Sequence, residues 1–317
     1  MDLKQLGEFG LIRRISREFS VPSGVTGIGD DCAVLPQQDG LSTLVTTDML
    51  VEGTHFLSSD ISPYRLGWKS AAVNISDIAA MGGAPRGSFL AFALPKGLDS
   101  TWTDEFIRGY KEASLLSGTP LLGGDTTASP DRISICVTVI GDCPSGREVR
   151  RSGARTGDLV CVTGALGDSA GGLRVILDGI PRSADEEALV DRHYRPVPKV
   201  TEGQAIAKAG ASAMMDISDG IGSDLQHILD ASGVGAEIDC KAIPTSAQLR
   251  RCAGRHGWDT EALAIDGGED YELLFTIDPA AVDSPAFPCH VIGRIVDGDS
   301  VTWLHSASGR HQGYKHF

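Results

Sequence analysis

The segment SPYRLGWKSAAVNISDIAAMGG, residues 62–83, gives the clearest secondary-structure signal, because its two ends are marked more clearly than those of most segments. Ser62 can cap a helix whose first position is Pro63, where the missing N–H costs nothing. The Gly82-Gly83 pair ends the helical pattern. The stretch therefore predicts one long helix.

Predicted strands lie on both sides of this helix. Apolar runs at residues 44–47 and 88–94 indicate buried strands, and apolar residues alternate over 133–139 as in a half-covered strand. A further helix is expected over 103–116 and a short strand over 121–125. The first half of the chain is therefore mixed α/β.

The second half repeats this mixture. Its predicted strands are 159–163, 212–215, 271–276 and 290–295, and its predicted helices are 169–177 and 222–231. Residues 142–157 are poor in apolar side chains and rich in Gly, Arg and Ser, as an inter-domain linker is. We therefore predict an α/β fold with mixed sheets in two domains, 1–149 and 150–317.

The composition is that of a folded globular protein, with 41% hydrophobic and 22% charged residues. Its formal charge of -14 repels nucleic acid and anionic membranes, so we expect neither as a partner. The seven cysteines include no CxxC pair, and no signal peptide or membrane-spanning run is present, so we expect a cytoplasmic protein. An anionic ligand would need a bridging cation.

Aspartates recur at the predicted ends of strands and helices, next to Gly, Thr or Ser. They are found in IGDDCAVL, TTDM, NISDIAAMGG, GGDTTAS and MDISDG. Each motif alone is more often a turn or a helix cap, but their joint occurrence favours a shared role. Apolar neighbours make unpaired carboxylates costly, and Mg²⁺ ions that also bind substrate phosphates would offset that cost. The pattern predicts phosphoryl transfer on a phosphate-carrying substrate.

One face of the long helix carries polar side chains. Ser70, Asn74 and Asp77 fall at i, i+4 and i+7 and so lie on the same side. Such a face is typical of a helix that lines a site. The alternative is a face exposed to solvent.

A serine-hydrolase motif competes with this interpretation. Residues 167–171, GDSAG, match G-x-S-x-G between a predicted strand and a predicted helix. His193, His227 and His256 follow, but none stands in a telling context. Phosphate binding or tight packing at the N-terminus of the helix explains the glycines better.

The order of motifs along the chain resembles the thiamine-monophosphate kinase branch of the aminoimidazole-ribonucleotide-synthetase-like superfamily. These motifs are GEFGLI, GIGDD, TTDMLVEGTHF, GWKSAAVNISDIAAMGG, GGDTT, RSGARTGD, GALGDSAGGL, MDISDG, GGEDYELLF and GYKHF. The resemblance covers essentially the whole chain. GDD and SDG are shared across the superfamily, whereas VEGTHF, GGEDYELLF and GYKHF look specific to the kinase branch.

The resemblance implies ATP-dependent phosphorylation of thiamine phosphate to thiamine diphosphate, with several Mg²⁺ ions. It also implies a synthetase-like fold and a homodimer whose N-terminal sheets join into a barrel. The N-terminal domain would bind metal and ATP and form the dimer. The C-terminal domain would complete the substrate site.

The resemblance further assigns site residues. The metal ligands would be Asp31, Thr46, Thr47, Asp48, Asp77, Asp125, Asp216 and Asp219, with Asp30 beside them. Thiamine phosphate would contact His55, Glu269 and Tyr314, and ATP would lie beside Gly124, Asp125, Arg151 and Ser218. Position 314 is often Trp in the family, so the Tyr here departs from the pattern.

This chemistry requires no covalent protein nucleophile. The acceptor phosphate is already ionised at neutral pH, and bound Mg²⁺ offsets its repulsion from the γ-phosphoryl group of ATP, so we expect direct in-line transfer. Arg151 offers a planar fork to a phosphate, unless it is only a solvated linker residue. Glu269 precedes a predicted strand, where its carboxylate could meet the cationic thiazolium ring.

Two other classes of protein remain as alternatives. One is another ATP-using member of the superfamily, namely aminoimidazole ribonucleotide synthetase, selenophosphate synthetase or a hydrogenase-maturation protein. The other is a non-enzymatic module that binds nucleotide or metal. Selenophosphate synthetases carry a reactive Cys or selenocysteine near the N-terminus and the maturation proteins end in Cys, whereas this chain has its first Cys at position 32 and ends in Phe317.

Overall fold

The computed structural model describes residues 8–18, 21–37, 39–282, 287–307, 311 and 313 and contains two mixed sheets. The strands of the first are β1 (Ala33–Pro36), β2 (Leu41–Val51), β3 (Ala84–Pro95), β4 (Leu121–Ser129) and β5 (Ser134–Pro144). The helices of this half are α1 (Glu8–Glu18), α2 (Pro63–Ala80) and α3 (Ser100–Leu116). The strand order is β1-β2-β5-β3-β4, in which only β3 and β4 are parallel.

The long predicted helix is confirmed as α2. Ser62 caps it by accepting a hydrogen bond from Arg65 N–H at 3.3 Å, and the helix ends at Ala80 as the glycine pair predicts. It packs on β2 and β5 and contacts α3 and the second sheet. Its polar Ser70 and Asn74 are fully buried, so the solvent-exposed alternative for that face is wrong.

The second sheet has the strand order β11-β8-β10-β6-β9-β7. Its strands are β6 (Leu159–Val162), β7 (Ala213–Asp216), β8 (Gly235–Asp239), β9 (Leu273–Ile277), β10 (His290–Val296) and β11 (Val301–Leu304). The helices of this half are α4 (Asp168–Leu177), α5 (Ala184–Tyr194), α6 (Val200–Ala209), α7 (Ile221–Ser232), α8 (Ala247–His256), α9 (Thr260–Asp266) and α10 (Pro279–Val282). Cys240–Ala242 form a 3₁₀ turn.

Most predicted elements appear near their predicted bounds, although β2 and β5 run up to five residues beyond theirs and three further bounds differ. β9 begins at Leu273 rather than 271, because Glu269 and Tyr271 adopt positive φ angles of 63° and 50° that a strand does not tolerate. β4 continues past Asp125 to Ser129. α3 begins at Ser100 rather than at 103, because Asp99 is its N-cap.

The two sheets come from separate stretches of the chain, 33–144 and 159–304, while the predicted domain boundary near Arg150 stays a prediction. The cysteines are free thiols, and Cys32 is a small buried residue. Among the described residues, no helix is long and apolar enough to cross a membrane.

Candidate active site

A cavity of about 1150 Å³ lies between the two halves of the molecule. Both halves contribute to its wall, so neither sheet forms the site alone. Its lining includes Asp30, Asp31, Thr46, Thr47, Asp48, His55, Asp77, Arg151, Asp216, Ser218, Asp219 and Glu269. Most residues predicted for the site are therefore brought together by the fold.

Three aspartates meet at the centre of this cavity. One carboxylate oxygen from each of Asp31, Asp77 and Asp216 lies within 4.8 Å of the others. Within the described part of the chain, Asp31 Oδ2 and Asp216 Oδ2 are buried and have no hydrogen-bond partner. Buried carboxylates this close repel one another, so the cluster is incomplete without cations or protons.

The pKa values of the acidic cluster report the same repulsion. Burial, together with the charge of Asp31, raises the pKa of Asp216 to about 7 and that of Asp48 to about 6. Burial and the neighbouring carboxylates also raise the pKa of Asp77 well above its ordinary value. Hard oxygen donors held at this density suit Mg²⁺, so the residues present fit the predicted metal.

The polar face of α2 fixes the end of β2 against the cluster. Asn74 Oδ1 accepts a hydrogen bond from Asp48 N–H at 2.9 Å, and Asn74 Nδ2 donates to Ser70 O at 3.1 Å. Thr46 Oγ1 donates to the Asp77 carboxylate. The i, i+4, i+7 spacing predicted that this face lines a site, and these bonds show how it orients Asp48 and Thr46.

Arg151 lies at the edge of the cluster rather than in a solvated linker. Its guanidinium pairs with Asp31, and its backbone N–H donates to Asp30 Oδ1 at 2.8 Å. The side chain is only 22% exposed. The linker interpretation of Arg151 is therefore wrong, and contact with a phosphate stays a prediction.

Two of the residues predicted to face thiamine phosphate, His55 and Glu269, line the same cavity. His55 Nδ1 accepts from Val51 N–H at 3.0 Å. Burial would raise the pKa of Glu269, but the adjacent ammonium group of Lys69 outweighs burial and holds that pKa below its usual value. His193 Nδ1 lies 3.4 Å from the same carboxylate. Sequence reasoning missed both partners, although a lysine in an otherwise small and apolar helix was a visible signal.

The G-x-S-x-G loop does not form a hydrolase triad. Ser169 Oγ lies 3.0 Å from His193 Nδ1, but the Glu269 carboxylate approaches that same nitrogen at 3.4 Å. A relay needs the acid and the serine on opposite nitrogens of the imidazole. The arrangement therefore lacks the geometry that activates a serine.

The glycines of this loop serve tight packing, one of the two uses expected for them. A Cβ on Gly167 would lie 2.9 Å from the backbone of Ala264. The N-terminus of α4 is already filled, because Gly167 and Ser169 donate their N–H groups to the Asp270 carboxylate at 2.6 and 3.2 Å. A phosphate at this helix would have to displace Asp270.

Four predicted residues lie away from the acidic cluster or outside the described residues. Asp125 stands on the edge strand β4, opposite Ala91 of β3, and neither it nor Gly124 lines the cavity among the described residues. Thr47 Oγ1 turns from the cluster and donates to Val137 O at 3.1 Å. Tyr314 lies outside the described residues. The roles assigned to these residues stay predictions.

Asp224 is a buried carboxylate that sequence reasoning missed. It accepts hydrogen bonds from the backbone N–H groups of Ser218 and Asp219 at 3.0 and 3.1 Å. These bonds place the loop at the entry of α7 against the cavity. The position of Asp224 in the first turn of that helix was the available signal.

Comparison with known proteins adds independent findings. The family models "AIR synthase related protein, N-terminal domain" and "AIR synthase related protein, C-terminal domain" match residues 29–143 and 155–304. The thiamine-monophosphate kinase of Salmonella typhimurium is 44% identical over 86% of this chain and 82% of its own. That of Aquifex aeolicus is 39% identical over 100% of both. The solved structure of AaThiL complexed with AMPPCP and TMP has a TM-score of 0.91 at 37% identity and covers 100% of this chain and 99% of its own.

Proposed function

The chain belongs to the thiamine-monophosphate kinase family of AIR synthase related proteins, and from this premise we propose how its cavity carries the reaction. The reaction is the ATP-dependent phosphorylation of thiamine monophosphate to thiamine diphosphate. The alternatives of another superfamily branch and of a non-enzymatic module are therefore wrong. What remains to be assigned is the work of individual residues.

The acidic cluster carries the proposal. Mg²⁺ ions would be held by Asp31, Thr46, Asp48, Asp77, Asp216 and Asp219, whose oxygens converge on the cavity. When bound, such ions neutralise charge on the two phosphate groups that must approach each other. The chain itself supplies a preformed oxygen cage, because Asn74 and Arg151 orient Asp48 and Asp31 before any ligand arrives.

The two ligands would occupy opposite ends of this cage. His55 and Glu269, with Tyr314 as a further candidate, would face the thiamine end, and Arg151 and Ser218 would lie beside ATP. Both the acceptor phosphate and the γ-phosphoryl group would then meet over the aspartates. Transfer would be direct, since the acceptor is already ionised and needs no protein nucleophile.

The enzyme would act as a homodimer in the cytoplasm. The face of the first sheet opposite α2 exposes large apolar side chains, with Met49, Phe89 and Leu122 between 38% and 59% exposed. Apolar surface of this kind on a sheet favours a protein partner. A second copy covering this face would build the predicted barrel. The free cysteines fit a reducing compartment.

Replacement of Asp48 tests the proposed function. Asp48→Asn should lower kcat for thiamine diphosphate formation by at least ~100-fold while leaving the fold intact, because one ligand of the cage is lost. Turnover with ATP, thiamine monophosphate and Mg²⁺, together with circular dichroism, measures both effects. Asp104→Asn removes an exposed carboxylate of α3 and is the matched control. A near-normal rate in Asp48→Asn would remove this residue from the mechanism.

A further inference from the structure

Lys69 is a charged side chain that the proposed mechanism does not use. It lies on α2, in the first half of the molecule, and its side chain is 0% exposed. Its Nζ lies 2.9 Å from Oε1 and 3.0 Å from Oε2 of Glu269, which belongs to the second half. A lysine is almost never fully buried unless it is paired, so its position depends on this carboxylate.

The backbone around Glu269 is held in an unfavourable conformation. Its φ of 63° lies in the left-handed region, as does the φ of 50° at Tyr271, and this region is unfavourable for a non-glycine residue. Backbone bonds maintain both residues: Glu269 N–H donates to Ser218 O at 2.7 Å and Tyr271 N–H to Ile217 O at 2.9 Å. Strain that is maintained in this way marks positions where a side chain must point in one direction.

Of the Lys69–Glu269 ion pair, only the Glu269 carboxylate is exposed to the cavity. Glu269 retains 27% side-chain exposure and lines the cavity, whereas Lys69 has none. His193, the other group on this carboxylate, is neutral, because burial and Lys69 lower its pKa to about 3. The ligand therefore meets a carboxylate whose counter-charge lies behind it in the protein.

We propose that Lys69 is a positioning residue that fixes the Glu269 carboxylate in the cavity wall and thereby gives the acceptor site its preference for a cationic ring. This inference rests on the proposed placement of thiamine monophosphate beside Glu269. Lys69 itself does not touch the ligand. It acts from behind, by fixing the direction in which a partly exposed anion points.

A purely structural role for Lys69, in which its ion pair only holds the two halves of the molecule together, predicts a different result. Loss of such a contact would change the KM values of all substrates alike. Loss of the positioning contact would affect only ligands that carry the positive ring. The informative probe is therefore a thiamine monophosphate analogue in which neutral thiophene replaces the thiazolium.

The test compares four variants: Lys69→Met, Lys69→Arg, Glu269→Gln and the double variant Lys69→Met/Glu269→Gln. Lys69→Met should raise the KM for thiamine monophosphate about tenfold, with the KM for ATP within about twofold and the KM for the thiophene analogue little changed. Lys69→Arg should recover part of the loss, because it keeps the charge. Lys96→Met, which removes an exposed lysine, is the control.

The double variant keeps the test decisive if Lys69→Met folds poorly, since removing one member of a buried pair leaves an uncompensated charge. The double variant leaves no uncompensated buried charge, so it should fold. It should show the same KM for thiamine monophosphate as Glu269→Gln alone, because Lys69 acts through that carboxylate. A further increase in the double variant would overturn the inference. So would a Lys69→Met variant in which the KM values for the thiophene analogue and for ATP rise as much as the KM for thiamine monophosphate.

The wild-type enzyme separates this inference from the proposed function. If wild-type protein forms no thiamine diphosphate, the function fails before Lys69 is considered. If it does so and Lys69→Met behaves as wild type with both acceptors, only the role of Lys69 is refuted.

Discussion

Asp216 illustrates how one buried carboxyl group of this site affects the stability of the folded protein. Its folded pKa of about 7 lies far above the ordinary value of 3.8, so the folded state keeps a proton that the unfolded chain has already released. Such a carboxyl favours folding most at low pH, and its contribution is lost as the pH rises through 7. The burial that disfavours its charge also prepares Asp216 to exchange that proton for a metal ion.

This residue makes the stability of the metal-free protein depend on pH. From pH 6.5 to 8.5 the titration of Asp216 should lower the free energy of unfolding by about 0.8 kcal/mol, and the larger part of its effect lies below this range, between its unfolded and folded pKa values. Histidines such as His193, whose pKa is lowered in the folded state, oppose this trend most strongly below pH 6.5, where the unfolded chain still binds their protons. Saturating Mg²⁺ should reduce the slope, because the ion replaces the protons. Calorimetry with and without Mg²⁺ measures the difference.

A matched variant checks the cause of this slope. Asp216→Asn should have a shallower slope than wild type even without Mg²⁺, because the titrating group is gone. Equal slopes for wild type with and without the ion would show that these carboxylates do not bind it.

The single residues that sequence reasoning found were those marked by local motifs. Asp31, Asp77 and Asp216 were visible because each belongs to a short motif that contains glycine or serine, namely IGDDCAVL, NISDIAAMGG and MDISDG. The pairing of Lys69 and His193 with Glu269 was not visible, although Lys69 stands out in its helix, because Glu269 is 200 and 76 positions away along the chain. No local pattern encodes such a pair.

The crossing of α2 and α3 shows how one element positions the site. A Cβ on Gly67 would lie 2.0 Å from Phe106 O, and one on Gly109 would lie 1.8 Å from Tyr64 O. The two helices therefore touch backbone to backbone. This contact supports α2, which carries Asn74 and Asp77 to the cavity.

Adding a methyl group at this crossing should be costly. Gly67→Ala should lower the free energy of unfolding by about 3 kcal/mol or more, because backbone on both sides cannot yield. Gly254→Ala is the control: it lies within α8, with no atom of the described residues within 4 Å of the added Cβ, and should stabilise by up to about 1 kcal/mol. Similar changes in both, measured by denaturant unfolding, would contradict the proposed backbone contact.

Elements with clear end signals were predictable, and others were not. α2 has a cap, a proline and a glycine pair, so both its ends were read correctly. The helices α5, α6, α8 and α9 were missed. Three of them carry a visible N-cap residue: Ser183 for α5, Ser246 for α8 and Asp259 for α9. Their apolar faces are short and are completed only by packing against other elements, as α5 packs on α8 and α6 on α2, which a single stretch of sequence does not show.

The whole molecule is expected to be completed by a second copy. Phe89→Glu places a charge in the exposed apolar face of the first sheet and should shift the protein from dimer to monomer in analytical ultracentrifugation, since the charge would be buried on association. Leu304→Glu, on the edge strand β11 of the other sheet, should leave the oligomeric state unchanged. A monomeric wild type would refute the dimer.

The position of Asp125 links the dimer to catalysis. It lies on β4, in register with Ala91 on the face where Phe89 is exposed, and away from the cavity of its own chain. If its predicted role as a ligand is correct, it has to serve the cavity of the partner.

Asp48→Asn and Asp125→Asn should then each be inactive as homodimers. A purified heterodimer of the two should regain about half of the wild-type activity, because one of its two cavities has every wild-type residue. A heterodimer of Asp48→Asn with Asp216→Asn should regain nothing, because both changes lie in the same cavity and each protomer keeps its own defect. An inactive Asp48→Asn/Asp125→Asn heterodimer would place Asp125 in its own chain's site, and an active Asp125→Asn homodimer would place it outside the mechanism.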